Sequence, residues 1–295
     1  MLKDYLIFII YKIFRGIVLI VPKSIMKYLL IFLAKFVYLI DYKHKRYSKI
    51  NLDLVYKDTI SLERKNEIIQ NSYYNLFFNL YEHIENEFLG LEELEKKITI
   101  INEDIILSAL KEEKKIILIS AHYGNWEYIT SYISLKYSPT TMVGRPLNNK
   151  YLNEDLRVAR EKHNSEMLDK KGSAKGLIKA LRDNRIVGLA IDQHVPVNRG
   201  ELIKFLGHDA VQTDSSTRIA IKTGAVIIPV FFIKDDFRKY TIKFCPEIDP
   251  SLYDNDVNKI TQLQADAMSN QILEKPDDWF WLHRRWKDIY LGIYK

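Results

Sequence analysis

A disulfide within this chain is excluded, because Cys245 is its single cysteine among 295 residues. No second thiol exists to share a metal with it, so the composition points to a reducing compartment. A G-x-S-x-G elbow is also missing, and Cys245 sits in a strand-like KFCPEI stretch without a neighbouring histidine. A hydrolase with its own nucleophile therefore has little support. Internal repeats, low-complexity tracts and Gly/Ser linkers are absent as well, leaving one large catalytic domain as the simplest organisation.

Long uninterrupted apolar runs are lacking too. LIFIIYKIFRGIVLIV at 6–21 is broken by Lys12 and Arg15, and YLLIFLAKFVYLI at 28–40 is preceded by Lys27 and split by Lys35. Neither offers the roughly 20 apolar residues of a bilayer span. Asp4, the interrupting cations and the absence of a small-residue cleavage motif also argue against a signal peptide. Residues 1–50 nevertheless carry ten Lys/Arg against Asp4 and Asp41, a surplus of eight in a chain whose total is +6. Apolar load and basic excess coincide, so residues 1–42 read as a helical anchor lying on a membrane, its Lys and Arg reaching anionic headgroups. Residues 43–295 then form the catalytic domain. A basic excess confined to an apolar segment is the wrong pattern for nucleic acid, which calls for a hydrophilic stripe.

Beyond the anchor, Ile68, Ile69, Tyr73, Leu76, Phe77, Leu80 and Ile84 recur at helical spacing and predict a long amphipathic helix over 61–88. Short apolar runs at 114–120, 140–144, 185–192 and 225–233 read as buried strands, with helices at 149–164, 173–183 and 213–223 between them. This alternation predicts an α/β fold with a mostly parallel central sheet flanked by helices. Thr213 or Asp214 is the expected N-cap and Gly224 the expected stop of the 213–223 helix. KPDDWFWLHRRWKDIY reads as an aromatic and basic terminal helix, whose tryptophans suit either a core or an interfacial belt.

The chemically informative stretch is IILISAHYGNWEYI, where a buried strand runs out into His122 and then Glu127. Strand carboxyl ends face the ligand crevice of an open α/β sheet. On a continuous helix the two residues would lie about 140° apart. A turn at Gly124-Asn125 would bring Glu127 back toward the imidazole. A carboxylate there fixes the tautomer while the other ring nitrogen takes a substrate proton, as in a triad whose nucleophile belongs to the substrate. His163, His194, His208 and His283 show no metal-ligand spacing, so no metal is expected. His194 reads as a structural loop histidine.

At these residues the chain resembles the lipid A biosynthesis lauroyl/myristoyl acyltransferase family. SAHYGNWE matches its H-x4-D/E block, VGRPLNNKYL its arginine block, LAIDQHVPVNRGELIKFLG its DQ and F-x-G blocks, and WFWLHRRWK its C-terminal W-x-W-x-H-x-R signature. KINLDLVY is similar to its early N-L segment. The resemblance implies an O-acyltransferase without cofactor, with His122 as base and Glu127 as its partner. Arg145 would contact phosphate or the oxyanion, and Arg160, Asp192 and Gln193 would support substrate binding. It implies an acyl carrier protein thioester as donor, a lipid A precursor (Kdo-lipid IVA) as acceptor, and the cytoplasmic face of the inner membrane as location. Two departures, Leu206 in Phe205-Leu206-Gly207 and His194 after DQ, bear on chain length and acceptor position. Another glycolipid or a glycerol phosphate is the alternative acceptor, and a non-catalytic lipid-binding protein the alternative class.

Overall fold

The computed structural model describes residues 2–170 and 172–295, apart from the side chains of Glu127, Ile129, Thr130 and Arg160. Helices α1 (Leu2–Ile20), α2 (Lys23–Ile40), α3 (Tyr42–Tyr56), α4 (Leu62–Asn86) and α5 (Leu91–Glu95) precede the first strand. There follow β1 (Ile98–Ile101), α6 (Glu103–Lys111), β2 (Ile116–Ser120), α7 (Trp126–Lys136), β3 (Thr140–Gly144), α8 (Lys150–Glu161), β4 (Ser165–Asp169), α9 (Ser173–Arg182) and β5 (Ile186–Ala190). The chain continues through β6 (Glu201–Phe205), β7 (His208–Gln212), α10 (Ser215–Thr223), β8 (Val226–Asp236), β9 (Lys239–Phe244) and α11 (Val257–Glu274). Short 3-10 turns at Val197–Arg199, Pro250–Tyr253 and Pro276–Asp278 join these elements.

Among the described residues, seven strands make one sheet in the order β1-β9-β8-β2-β5-β3-β4. Only the β8–β9 pairing is antiparallel. The expected mostly parallel sheet is thus present, with every residue of β2 buried because helices cover both faces. Ile117 and Ile119 face a layer holding Leu177, Ile219 and Met268, while Ile116 and Leu118 face Ile106, Tyr128 and Ile133. That alternation is the strand's period of two, used on both sides at once. The β6–β7 hairpin stands outside the sheet and turns at Leu206-Gly207, both at positive φ.

Helix ends follow local chemistry. Ser61 accepts a hydrogen bond from Arg64 N at the start of α4, and Asp256 one from Lys259 N at the start of α11. Gly224 closes α10 in the left-handed region at φ 67 as expected, while Asp214 holds the N-cap position without a side-chain cap bond.

Two expectations change. The 275–290 segment is a 3-10 turn followed by turns and extended backbone, and Trp279, Trp281 and Trp286 are buried core residues rather than an interfacial belt. In the first helix, Lys12 and Arg15 do not reach outward: both bond to Asp155 of α8, and Arg15 also pairs with Glu87 at 2.7 Å. The cations that interrupt the apolar run therefore fasten α1 to the domain. Their apolar neighbours Leu6, Ile10, Ile13 and Ile20 remain exposed, as do Tyr28, Phe32, Phe36 and Leu39 of α2. Among the described residues no helix is long and apolar enough to cross a membrane.

Candidate active site

Strands β2 and β5 lie side by side in parallel register, with Ser120 opposite Ala190. Each chain then continues two residues past its strand, and Ile191 N still bonds Ser120 O at 3.0 Å. Equal overrun from a shared register carries His122 and Asp192 to the same place at the carboxyl edge of the sheet. There His122 Nδ1 lies 2.7 Å from Asp192 Oδ1. The other carboxylate oxygen, Oδ2, accepts from Trp279 Nε1 at 2.8 Å.

Asp192 is 2 % exposed. Burial pushes its carboxyl up, but the electrostatic attraction of His122, the hydrogen bonds from His122 and the bond from Trp279 outweigh burial and hold it at about 2. The carboxylate therefore stays charged, orients the ring through Nδ1–H, and leaves proton exchange to Nε2. Trp126 meets the His122 ring edge-on at 5.4 Å and walls one side.

The expected turn after His122 is present. Gly124 takes φ +53, and a Cβ there would stand 1.7 Å from Phe232 O, so this position needs glycine for both conformation and space. Three outside groups hold the turn. The 276–281 segment crosses it, with Gly124 N bonded to Asp278 O at 2.8 Å and Phe280 N bonded to His122 O at 2.9 Å. From α4, Asn79 donates to Gly124 O at 2.8 Å, and Glu82 accepts from Asn125 at 3.2 Å. Glu82 also accepts from Tyr240 at 2.5 Å. Asn75 and Ser72 on the same helix bind Asp277 O and Trp279 O. The long helix thus buries a polar stripe that ties together the two backbone segments framing His122.

Glu127 falls in the first turn of α7, and Arg160 in the last turn of α8; their side chains lie outside the described residues. The imidazole partner that is described is Asp192, expected from the resemblance only as a supporting residue. Arg145 follows β3 at the same edge of the sheet, exposed and without an ion pair among the described residues. The Gln193 carbonyl accepts from the buried Arg285 at 3.2 Å. Burial pulls the Arg285 guanidinium down to about 10, so it keeps its positive charge close to Asp192. His283 is driven by burial to about 4 and is neutral, accepting from His194 N through Nε2 at 2.8 Å. His194 itself is engaged through Nε2 with Asp288 at 2.7 Å, in keeping with a structural loop histidine. Among the described residues no group of three or more His, Cys, Asp or Glu side chains is placed to hold a metal.

A mostly parallel sheet presenting a His–Asp pair at its carboxyl edge defines an α/β protein equipped for general-base chemistry on a substrate nucleophile. Residues 1–288 match the family described as Bacterial lipid A biosynthesis acyltransferase, and the chain belongs to that family. It is 26% identical over 262 residues to a lipid A biosynthesis lauroyltransferase of Escherichia coli K12, covering 84% of this chain and 82% of that protein. A phosphatidylinositol mannoside acyltransferase of Mycolicibacterium smegmatis is 29% identical over 199 residues, covering 65% of this chain and 64% of that protein. A lipid A biosynthesis palmitoleoyltransferase of E. coli K12 is 22% identical over 244 residues, 82% of this chain and 78% of that protein.

Proposed function

We propose that this chain transfers a fatty acyl group from a carrier-protein thioester to a hydroxyl of a lipid A precursor, Kdo-lipid IVA. In this reading residues 1–42 rest on the cytoplasmic face of the inner membrane and residues 43–295 carry out the reaction. The observation that carries it is the 2.7 Å contact between His122 Nδ1 and Asp192 Oδ1. With Nδ1 committed to the carboxylate, Nε2 takes the proton of the acceptor hydroxyl as its oxygen attacks the thioester carbonyl. The tetrahedral intermediate collapses, the C–S bond breaks, and the imidazolium returns its proton to the departing thiolate. The acyl group ends as an ester and the carrier as a free thiol.

Negative charge grows on the carbonyl oxygen in the first step, and a donor aimed there commonly lowers the barrier by ~3 kcal/mol. We assign Arg145 to that oxyanion or to the acceptor phosphate, for which a guanidinium is the suited donor. Glu127, Arg160 and Gln193 are assigned to the same cleft, Glu127 as a second carboxylate acting on the base. Exposed apolar residues of α1 and α2 support the membrane placement.

The mannoside acyltransferase relative supports a second reading, in which the acceptor is a different glycolipid or a glycerol phosphate. Purified protein in detergent would be incubated with a panel of acyl carrier protein thioesters and each acceptor, with products read by mass. Acyl addition to Kdo-lipid IVA that vanishes in His122→Ala is the expected result. Addition to another acceptor alone would select the second reading, and lipid binding without any acyl product would leave a binding protein.

A further inference from the structure

A cavity of about 350 Å³ opens between the α1–α2 turn, the start of α5 and the β8–β9 turn. Lys23, Lys96, Lys97, Arg238 and Lys239 line it against the single carboxylate of Glu93. Glu85 lies beneath, 2.8 Å from both Lys97 Nζ and Arg238 Nε and 3.1 Å from Lys23 Nζ. Glu92 holds Lys96 at 2.9 Å on the rim. Counting both, five cations face three carboxylates; Glu82 behind Lys97 and Arg238 adds a fourth once it ionises, at about 7, so the pocket keeps a surplus of at least one positive charge.

Arg238 and Lys239 carry the unspent part of that surplus. Arg238 spends only Nε on Glu85, and among the described residues neither of its Nη groups has a hydrogen-bond partner. Lys239 is exposed and forms no ion pair among the described residues. Lys97, at 8 % exposed, and Glu85, at the same value, make a rigid floor rather than a mobile surface cluster. Leu89 and Phe237 supply apolar wall, the latter held against Tyr81 with ring centroids 5.4 Å apart. A fork of unpaired N–H donors beside an ammonium suits a phosphate, and the apolar wall suits what a lipid phosphate carries.

The neighbourhood decides which phosphate. Lys23 opens α2 directly after the turn, and the residues flanking that turn, Ile20 and Ile25, are 84% and 58% exposed. Apolar side chains that project beside a cationic pocket match the order of a bilayer interface, hydrocarbon next to headgroup. We infer that the pocket between the α1–α2 turn and Arg238-Lys239 binds the headgroup phosphate of an anionic bilayer phospholipid. None of its lining residues belongs to the His122–Asp192 pair, and these cations are assigned to membrane docking rather than to the acceptor. The inference rests on the membrane placement proposed above.

The test is sedimentation of the full chain with vesicles of phosphatidylcholine alone or mixed with phosphatidylglycerol. Lys239→Gln leaves the Arg238–Glu85 pair intact, and Lys222→Gln removes the same charge from an exposed position on α10. The expected result is a preference for phosphatidylglycerol that falls about fivefold in Lys239→Gln, the change equal to ~1 kcal/mol per cation at an anionic surface, and less than twofold in Lys222→Gln. Equal losses in the two variants would make the attraction diffuse and overturn the pocket while sparing the membrane placement. Failure of the wild type to sediment with either vesicle would overturn both. Stabilisation by inorganic phosphate in detergent, without any vesicle preference, would make the occupant a free anion and overturn the lipid assignment.

Discussion

Asp192 Oδ1 and His122 Nδ1 stand 2.7 Å apart because two neighbouring parallel strands overrun their register by the same two residues. The pair stands two residues past the ends of β2 and β5, so its geometry is set by the register of those strands and by the bonds that hold the turn after His122. Asp192→Asn keeps size and shape but removes the charge and places an acceptor or an amide where Nδ1–H expects an anion. We expect kcat to fall on the order of a thousandfold or more with KM little changed, the pattern of a base in the wrong tautomer. The same carboxyl is depressed from 3.8 to about 2, so its contribution to stability is present above 3.8 and lost as pH falls toward 2. That contribution is ~2 kcal/mol, and acid denaturation curves of the two proteins should converge at low pH. An active Asp192→Asn would transfer the partner role to Glu127.

Glu82 gives a pH dependence of the opposite sign. It is fully buried, and burial pushes its carboxyl up to about 7 despite the hydrogen bond from Tyr240 and the charge of Lys97. A folded-state value above the unfolded value of 4.5 means the contribution is full below 4.5 and is lost as pH rises through 7. The loss amounts to ~3 kcal/mol. Glu82→Gln, permanently neutral, should flatten that part of the stability profile, measured by urea unfolding at pH 5 and pH 8. An unchanged slope in the variant would show that another group titrates.

Gly124 and Gly207 both sit at positive φ, yet they should respond differently to alanine. At Gly124 the new Cβ meets Phe232 O at 1.7 Å, while at Gly207 nothing lies within 4 Å. Gly207→Ala meets only the left-handed penalty, ~1 kcal/mol. Gly124→Ala must also displace the β8 backbone and the turn bearing His122, so we expect a loss of at least ~3 kcal/mol and little activity even where the protein remains folded. Thermal unfolding of the two variants side by side checks the contrast.

Much of the sheet was legible in the sequence, because β2, β3, β5 and β8 are apolar runs of strand length bounded by turn residues. Strands β1, β4 and β9 were not: their exposed and buried residues mix, and β4, SEMLD, is an edge strand with three polar residues in five whose place is fixed by backbone pairing with β3. The segment around Trp279 was misread as a helix. Its backbone is spent on long-range bonds to His122 and Gly124, and Trp279 and Trp281 are buried around half-buried Phe280. The buried polar stripe of α4 was hidden for a related reason: Asn75, Asn79 and Glu82 look like a solvated face until their partners arrive from distant segments. His122 and its turn were readable locally. Its described partner is 70 residues away, and only strand register brings the two together.

Trp279 connects that register to the C-terminal segment, and it separates packing from chemistry. Its indole Nε1 donates to Asp192 Oδ2 at 2.8 Å, while its ring packs edge-on against Trp281 at 4.6 Å and at a tilt against Phe205 at 5.6 Å. Trp279→Phe retains an aromatic ring and deletes the donor. A buried carboxylate oxygen without its partner costs ~1–3 kcal/mol, so the variant should unfold more easily. The charge then concentrates on the oxygen facing His122, which favours the imidazolium over the free base. We therefore expect the acid limb of the kcat/KM profile to move to higher pH and kcat to fall about tenfold, because the carboxylate also loses the contact that fixes its rotation. A Trp279→Phe protein that is less stable but keeps the wild-type acid limb would reduce this residue to packing, and the His122–Asp192 pair would then be oriented by its strands alone.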